Sequence, residues 1–378
     1  MYPKVSVIWL NYNSMRIMDL VLESLDYALG LDYPNYELIV IDNASTDGSY
    51  EVIKEFLSGL GNGSVPRVRL VRLSRNLGFT GGCNVGFKLA YRDSKYVVLL
   101  NNDAVPYPSS LGNLVECMEA DPSIGAAQGV ILKYGSNSVD TAGDFLDEML
   151  ITRKLFHNYP YPCMKREVEV TYADGAYSII RVEAVRRCVG DRLFDDDMFA
   201  YYDDMVLGLK LWNCGYRVVG LPFKAASHLV NGSFGKSLLK LYLGVKARAV
   251  LNEVSNSRFK DIIRARLITM ALALKLSPLK QADPDAPELS SEGVKTYLRA
   301  VYDGIRVGRR KRLMGEFIDL YKAPIIKVDS DKVFYAILRN RLVMEHVSSR
   351  LRILERSLLN ELIVKTRREV LKVPAITH

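Results

Sequence analysis

Four short, nearly continuous apolar runs, residues 5–10, 36–41, 68–73 and 96–100, constrain this chain most. They are rich in Val, Ile and Leu and too short for helices. Between them lie stretches with helical spacing at 15–29, 50–57 and 82–91, and a loop at 59–66. Apolar strands alternating with helices predict an α/β domain, with a mostly parallel sheet flanked by helices on both faces. In such sheets ligands bind at the carboxyl ends of the strands.

Each run ends in polar residues. Asn11-Tyr12-Asn13 follows the first, Asp42-Asn43-Ala44-Ser45-Thr46-Asp47-Gly48 the second, Ser74 to Gly82 the third and Asn101-Asn102-Asp103 the fourth. Any one patch reads equally well as a cap or turn; four in register at strand ends point to one crevice. Its chemistry suits a nucleotide. Asp42 can accept a base N–H, and Tyr12 offers a ring face or hydroxyl. Glycines 78, 81 and 82 allow close backbone approach, and the helix after them presents its N-terminus to phosphate. No GxGxxG and no GxxxxGK[ST] occurs at these positions, so dinucleotide and P-loop readings lack their fingerprints. Asp103 closes an apolar strand, where a carboxylate can hold a divalent ion together with substrate phosphates.

A second cluster spans residues 194–228. Asp203 and Asp204 stand between aromatic residues and a helical stretch. Mutual repulsion and an apolar wall would raise a carboxylate pKa there, the condition for a general base; both also suit the first turn of a helix. His228, one of four histidines, follows a strand-like stretch and is a second candidate metal ligand with Asp103.

The 378 residues suggest two domains or three, and 49% hydrophobic residues exclude a disordered or fibrous chain. The five cysteines form no CxxC, which disfavours a disulfide framework or a zinc module and fits a reduced, cytoplasmic compartment. No secretory leader and no run of about 18 apolar residues is read, so a membrane span is not expected. The net charge of +8 divides unevenly: residues 1–230 hold 22 Lys and Arg against 28 Asp and Glu, residues 231–378 hold 29 against 15. The acidic part argues against a nucleic-acid ligand, and no recognition motif supports one in the basic part. The basic part suits an anionic membrane surface, with an amphipathic stretch at 258–279. The organisation expected is a catalytic domain at 1–235, a helical extension at 236–280, a linker at 281–293 and a basic helical region at 294–378. Within the last, Val347, Leu351, Leu354, Leu358 and Leu362 form a stripe suited to packing or to a homodimer seam.

In order along the chain, VSVIWLNYNS (5–14), ELIVIDNASTDGS (37–49), RNLGFTGGCNVG (75–86), YVVLLNNDAVP (96–106), ADGAYSIIR (173–181), FDDDMFAYYDD (194–204) and GYRVVGLPFKAASH (215–228) resemble glycosyltransferase family 2, in particular its rhamnosyltransferase-like branch. The resemblance covers about residues 3–235. It implies the GT-A nucleotide-sugar-binding fold and an inverting transfer, in polysaccharide biosynthesis, from dTDP-rhamnose or a UDP-hexose to a glycan or polyprenyl-linked acceptor. It also implies Mn²⁺ or Mg²⁺. Position by position, Asp204 would be the general base with Asp203 beside it, and Asp103 and His228 the metal ligands. The nucleotide sugar would meet Asn11, Tyr12, Asp42, Asn43, Ser45, Arg75, Asn76, Gly81, Gly82, Asn84, Asn101, Asn102, Asp174 and Gly175. Three departures stand out: the DxD motif reads Asn101-Asn102-Asp103, the Glu-Asp pair reads Asp203-Asp204, and Val206 and Lys210 replace an acid and an arginine. The lost first acid keeps a non-catalytic, sugar-nucleotide-binding scaffold as the alternative.

Overall fold

The computed structural model describes residues 2–60, 66–90, 93–195, 197–229, 237–264, 266–267 and 291–328. The stripe expected at 347–362 lies outside the described residues. Contact clustering divides the chain into two units, the first comprising Met1–Leu146, Thr152–Gly235 and Ile318–Ile325.

In the first unit the alternation becomes β1 (Val5–Asn11), α1 (Met18–Leu29), β2 (Tyr36–Asp42), α2 (Ser49–Ser58), β3 (Arg67–Arg72), α3 (Gly78–Ala90) and β4 (Tyr96–Asn101). The order β3-β2-β1-β4 is parallel throughout. After β4 come β5 (Ala104–Pro106), α4 (Ser110–Ala120), β6 (Ile124–Lys133), β7 (Val139–Thr141), β8 (Asp144–Asp147), β9 (Thr152–Lys154) and β10 (Val168–Glu169). Then follow β11 (Tyr177–Arg181), α5 (Val182–Cys188), α6 (Asp203–Asn213) and β12 (Arg217–His228). β11 runs antiparallel between β4 and β6, and β12 pairs parallel with β6 and antiparallel with β5. The sheet is therefore mixed, as expected of the class.

The pleat sorts the apolar residues into two layers. Val7, Trp9, Leu38, Val40, Val98 and Leu100 join the cluster that includes α1 and α4. Ile8, Ile39, Ile41, Val97 and Leu99 join the one that includes α3 and α6. Each such side chain, fully buried, contributes roughly 1.5–3 kcal/mol. The register then fixes the crevice: Asn11 stands opposite Asp42, Asp42 opposite Arg72, and Leu10 opposite Asn101.

One boundary differs from the sequence reading. α3 begins at Gly78, not at residue 82. A Cβ on Gly82 would approach Leu10 Cδ1 to 2.5 Å, so this glycine lets α3 lie against β1. Gly78 has φ +76°, and a Cβ there would meet the Phe199 carbonyl oxygen at 2.4 Å. Intimate packing outweighs the low helix propensity of glycine here.

In the second unit α7 (Leu238–Val254) and α8 (Ser291–Leu313) pack together, burying Leu243, Ala247, Val250, Val294, Tyr297, Ala300 and Val301. The first residues of α8 were expected in the linker. Of the amphipathic stretch, Phe259, Ile262, Ile263 and Leu267 are buried, while Arg258 pairs with Glu148 and Arg264 with Glu253. Its described part turns its apolar face inward; residues 268–279 of the stretch lie outside the described residues. Among the described residues no helix is long and apolar enough to cross a bilayer.

Candidate active site

The carboxyl ends of β1, β2 and β4 are stitched together by side chains. Buried Asn11 donates through Nδ2 to Asp42 Oδ1 (3.0 Å), Ser45 Oγ (3.1 Å) and Ser49 Oγ (3.2 Å). Its Oδ1 accepts from Asn102 Nδ2 at 3.0 Å and from the Ser14 hydroxyl. Asp42, 1% exposed, also accepts from the Ser45 N–H (3.1 Å), and Arg72 Nε lies 3.6 Å away. Asn43 donates to Asn76 Oδ1 and to the Gly78 carbonyl, both at 3.0 Å. Asp42 and Asn43 thus hold the loops that form the crevice wall. Tyr12 and Arg75 are exposed beside them.

At two of the expected positions the chain engages its own groups. Asn84 is buried and occupied by the chain itself: Nδ2 donates to the Phe194 carbonyl (2.9 Å), and Oδ1 accepts from the N–H groups of Leu193 and Phe194 (3.0 Å each). It pins the loop ahead of α6 to α3. The stretch before Gly81 and Gly82 is likewise engaged by the chain. The Gly78 N–H donates to Asn76 Oδ1 and the Thr80 N–H to the Phe199 carbonyl, while Gly81 packs on Leu77 and Gly82 on Leu10.

At the end of β4, buried Asp103 meets His228 from the end of β12, with Nε2 3.3 Å from Oδ1. These strand ends are joined because β5 pairs with β12, placing His228 opposite Ala104. The other ring nitrogen, Nδ1, is 3.3 Å from Oδ2 of the fully buried Asp140 on β7. Burial alone would lower the imidazole pKa, but the hydrogen bonds to Asp103 and Asp140 outweigh it and push it up to about 10. Asp140 is in turn held by Lys154 of β9, whose Nζ is 2.9 Å from Oδ1 and 3.0 Å from Oδ2. Burial pushes Asp140 up, yet His228 and Lys154 prevail and bring it down to about 2. Lys154 also reaches Asp174 Oδ2 at 3.6 Å.

Asp103 and His228 form a donor set of one carboxylate and one imidazole, which suits Mn²⁺ and, through the carboxylate, Mg²⁺. Among the described residues no group of three or more His, Cys, Asp or Glu side chains forms a metal cage. A cation here would complete its shell with diphosphate oxygens and water.

Asp174 and Gly175 lie just before β11. Asp174 Oδ1 accepts from the Ala176 N–H at 2.8 Å. The Gly175 N–H points at Asp204 Oδ2, 3.3 Å away. Asp203 and Asp204 are the first residues of α6, after Tyr202 in the left-handed conformation (φ 63°), and Asp204 Oδ1 accepts from the Met205 N–H at 2.7 Å. Burial pushes the Asp203 carboxyl up to about 6. Asp204 is raised well above the ordinary carboxylate range by burial first, then by Asp203, Asp174 and Asp144. Leu99, Ala126, Leu207 and Leu211 line an apolar hollow that Asp204 borders. Lys210 donates to Asp195 Oδ1 at 2.8 Å, so an ion pair persists where the family's arginine is missing.

The structure therefore joins Asp103, His228, Asp174 and Asp204 through two residues that sequence reasoning missed, Asp140 and Lys154. A usable signal existed only for their neighbour Gln128. It is the lone polar residue in the apolar run 124–132, and its Oε1 accepts from the Asp174 N–H.

The model of the family "Glycosyl transferase family 2" matches residues 6–188. The chain is similar to an uncharacterized glycosyltransferase of Haemophilus influenzae, 32% identical over 124 residues, 33% of this chain and 35% of that protein. It is similar to the poly-beta-1,6-N-acetyl-D-glucosamine synthase of Staphylococcus aureus, 24% identical over 221 residues, 57% of this chain and 48% of that one. The chain thus spans less than half the length of these curated relatives. Among solved structures, GalNAc-T7 with UDP, GalNAc and Mn²⁺ superposes with a TM-score of 0.50 at 16% identity, covering 83% of this chain and 58% of that one. At that identity the likeness concerns the fold. The match to that family model over residues 6–188, just under half of the chain, and the mixed sheet together give this chain a GT-A fold.

Proposed function

We propose that the protein transfers a sugar, with inversion, from a nucleotide-diphosphate donor to a hydroxyl of a glycan or lipid-linked acceptor in polysaccharide synthesis. The observation that carries this reading is the pairing of Asp204, its pKa raised beside an apolar wall, with the Asp103–His228 pair of the same strand-end crevice. In this reading Asp204 accepts the proton of the acceptor hydroxyl. The oxygen then attacks the anomeric carbon from the face opposite the nucleotide, and a single displacement inverts that centre. A divalent ion held by Asp103 and His228 neutralises charge on the departing diphosphate when bound. Asp174 and Gly175 line the sugar side, and Tyr12 and Arg75 flank the nucleotide.

The test is a panel of dTDP-rhamnose and UDP-linked hexoses with Mn²⁺ or Mg²⁺. Wild-type protein is expected to bind one donor and hydrolyse it slowly, and Asp103→Ala to lose the metal-dependent part of both. Binding without turnover by any acceptor or donor would favour the scaffold alternative. No binding at all would end the transferase reading.

A membrane-surface role, serving a lipid-linked acceptor, finds support on α8. Arg299, Tyr302, Arg306, Arg309, Leu313 and Met314 are exposed, mixing positive charge with apolar groups. Each basic residue near an anionic surface contributes about 1 kcal/mol. Vesicles containing phosphatidylserine are expected to sediment the protein at low salt, and Arg306→Glu with Arg309→Glu to weaken this at least tenfold. Absence of salt-sensitive sedimentation removes this part of the proposal.

A further inference from the structure

We propose that Lys154 is a positioning residue for this site. Through the carboxylates of Asp140 and Asp174, it sets His228 on the cation side and the Asp174–Gly175 turn on the sugar side. The proposal rests on the glycosyltransferase reading above.

The geometry is a continuous chain of contacts running from partly buried Lys154 through fully buried Asp140. Lys154 Nζ lies 2.9 and 3.0 Å from the two oxygens of Asp140, which bracket it. Asp140 Oδ2 faces His228 Nδ1 at 3.3 Å. The carboxylate on Nδ1 fixes the ring so that Nε2 faces Asp103, where a cation would displace the Nε2 proton. On its other side Lys154 Nζ is 3.6 Å from Asp174 Oδ2. The next residue, Gly175, directs its N–H to Asp204 Oδ2. One ammonium thus stands between the two halves of the site.

The arrangement is specific to charge as well as to shape. Asp140, Asp144 and Asp174 all raise the Lys154 pKa, against burial, which lowers it. Asp144, pushed up to about 7 by burial and then by Asp174, shows how crowded with carboxylates this region is. Without a cation between them the carboxylates of Asp140 and Asp174 would repel and separate. That separation releases the ring of His228 and shifts the turn that faces Asp204. β9 brings Lys154 here by pairing with β8, which sets Lys154 opposite Asp144. A purely structural pin of that hairpin would affect stability alone. A positioning residue also affects cation and donor binding.

The test uses the full chain, with Mn²⁺ titrated calorimetrically in the presence of UDP as the probe nucleotide, and with thermal melts alongside. Lys154→Met and Asp140→Asn are expected to weaken Mn²⁺ binding about 10–100-fold, the usual effect of removing a partner behind a metal ligand. The donor KM should rise by a similar factor, with a smaller change in kcat. Lys154→Arg, which keeps the charge and offers a fork to Asp140, should recover most of the affinity. If Lys154→Met does not fold, Asp140→Asn and Lys154→Arg decide. Unchanged Mn²⁺ affinity in Asp140→Asn overturns the proposal, as does Lys154→Met that melts earlier but binds Mn²⁺ like wild type. Wild-type protein that takes up neither Mn²⁺ nor nucleotide overturns the glycosyltransferase reading, and this proposal with it.

Discussion

Asp204→Asn lowers kcat about 10²–10⁴-fold, the usual contribution of a positioned base, while donor binding persists and the melting temperature at pH 8 rises. The three effects share one cause. Asp204 is an acid whose charged form the fold disfavours, through burial first and then through Asp203. As a base it must be deprotonated, so the rate falls as pH drops through its raised pKa. The acid limb of kcat/KM should therefore lie well above the ordinary carboxylate value of about 4. The stability sign is opposite to that of a salt-bridged acid. Between the unfolded value and the raised native value, the native state holds more protons than the unfolded one. Stability then declines as pH rises through that window. Asp203, raised to about 6, acts in the same direction. Above the raised pKa values the wild type carries both unfavourable charges, and the Asn variant carries one fewer. Its amide oxygen still accepts from the Met205 N–H. Melts at pH 5 and pH 8, with turnover and donor titration, check this. A variant with wild-type kcat, or one less stable at pH 8 than at pH 5 by the same margin as wild type, would defeat the assignment.

How far the sequence reached can be argued from particular residues. Asn11, Asp42 and Asn101 were placed together because a doubly covered parallel strand must be apolar until it leaves the sheet. The first polar residue therefore marks its end, and parallel register aligns the ends. The pairing of Asp103 with His228 rests on the family resemblance, and the antiparallel β5–β12 pairing brings the two together. Asp140 and Lys154 gave no comparable signal. They lie on strands of three residues, where no period can be read, and their meeting depends on hairpin register and on the β6–β12 pairing. The start of α3 was misplaced because glycine reads locally as a loop. Its place was decided by clearance to Leu10 and Phe199, which lie far away in sequence or beyond any local pattern. The resemblance alone places Asn84 at the ligand, and only the fold brings residues 193 and 194 to it.

Arg181→Met should do the reverse of Asp204→Asn, lowering the melting temperature by roughly 10 °C with kcat and donor affinity preserved below the transition. Arg181 ends the motif ADGAYSIIR (173–181) that holds Asp174, yet it stands at the other edge of the sheet. β11 runs antiparallel to β4, pairing Tyr177 with Leu100 near the crevice and Arg181 with Tyr96 at the far side. There the guanidinium, only 5% exposed, donates to the carbonyls of Ile124 (2.9 Å), Met118 (2.6 Å) and Asp121 (3.2 Å), and to Tyr96 Oη at 3.1 Å. Met118 lies in the last turn of α4 and Asp121 caps it, where carbonyl dipoles favour a cation. Methionine fills similar volume but takes the guanidinium donors from three carbonyls, of which that of Asp121 keeps the Ile124 N–H, at about 1–3 kcal/mol for each left buried and unpaired. A loss near 3 kcal/mol corresponds to roughly 2–4 °C per kcal/mol in a domain of this size. Lysine, a point charge, cannot reach all three acceptors and should recover only part of the loss. Thermal melts with donor titration at 20 °C read both quantities. If Arg181→Met lost donor affinity while folded, the far edge of the sheet would be coupled to the crevice, and the separation of anchor from site argued here would fail. If instead the two variants split as expected, β11 carries stability at its Arg181 end and chemistry at its Asp174 end. One strand of five residues, and the turn before it, then divides the two tasks.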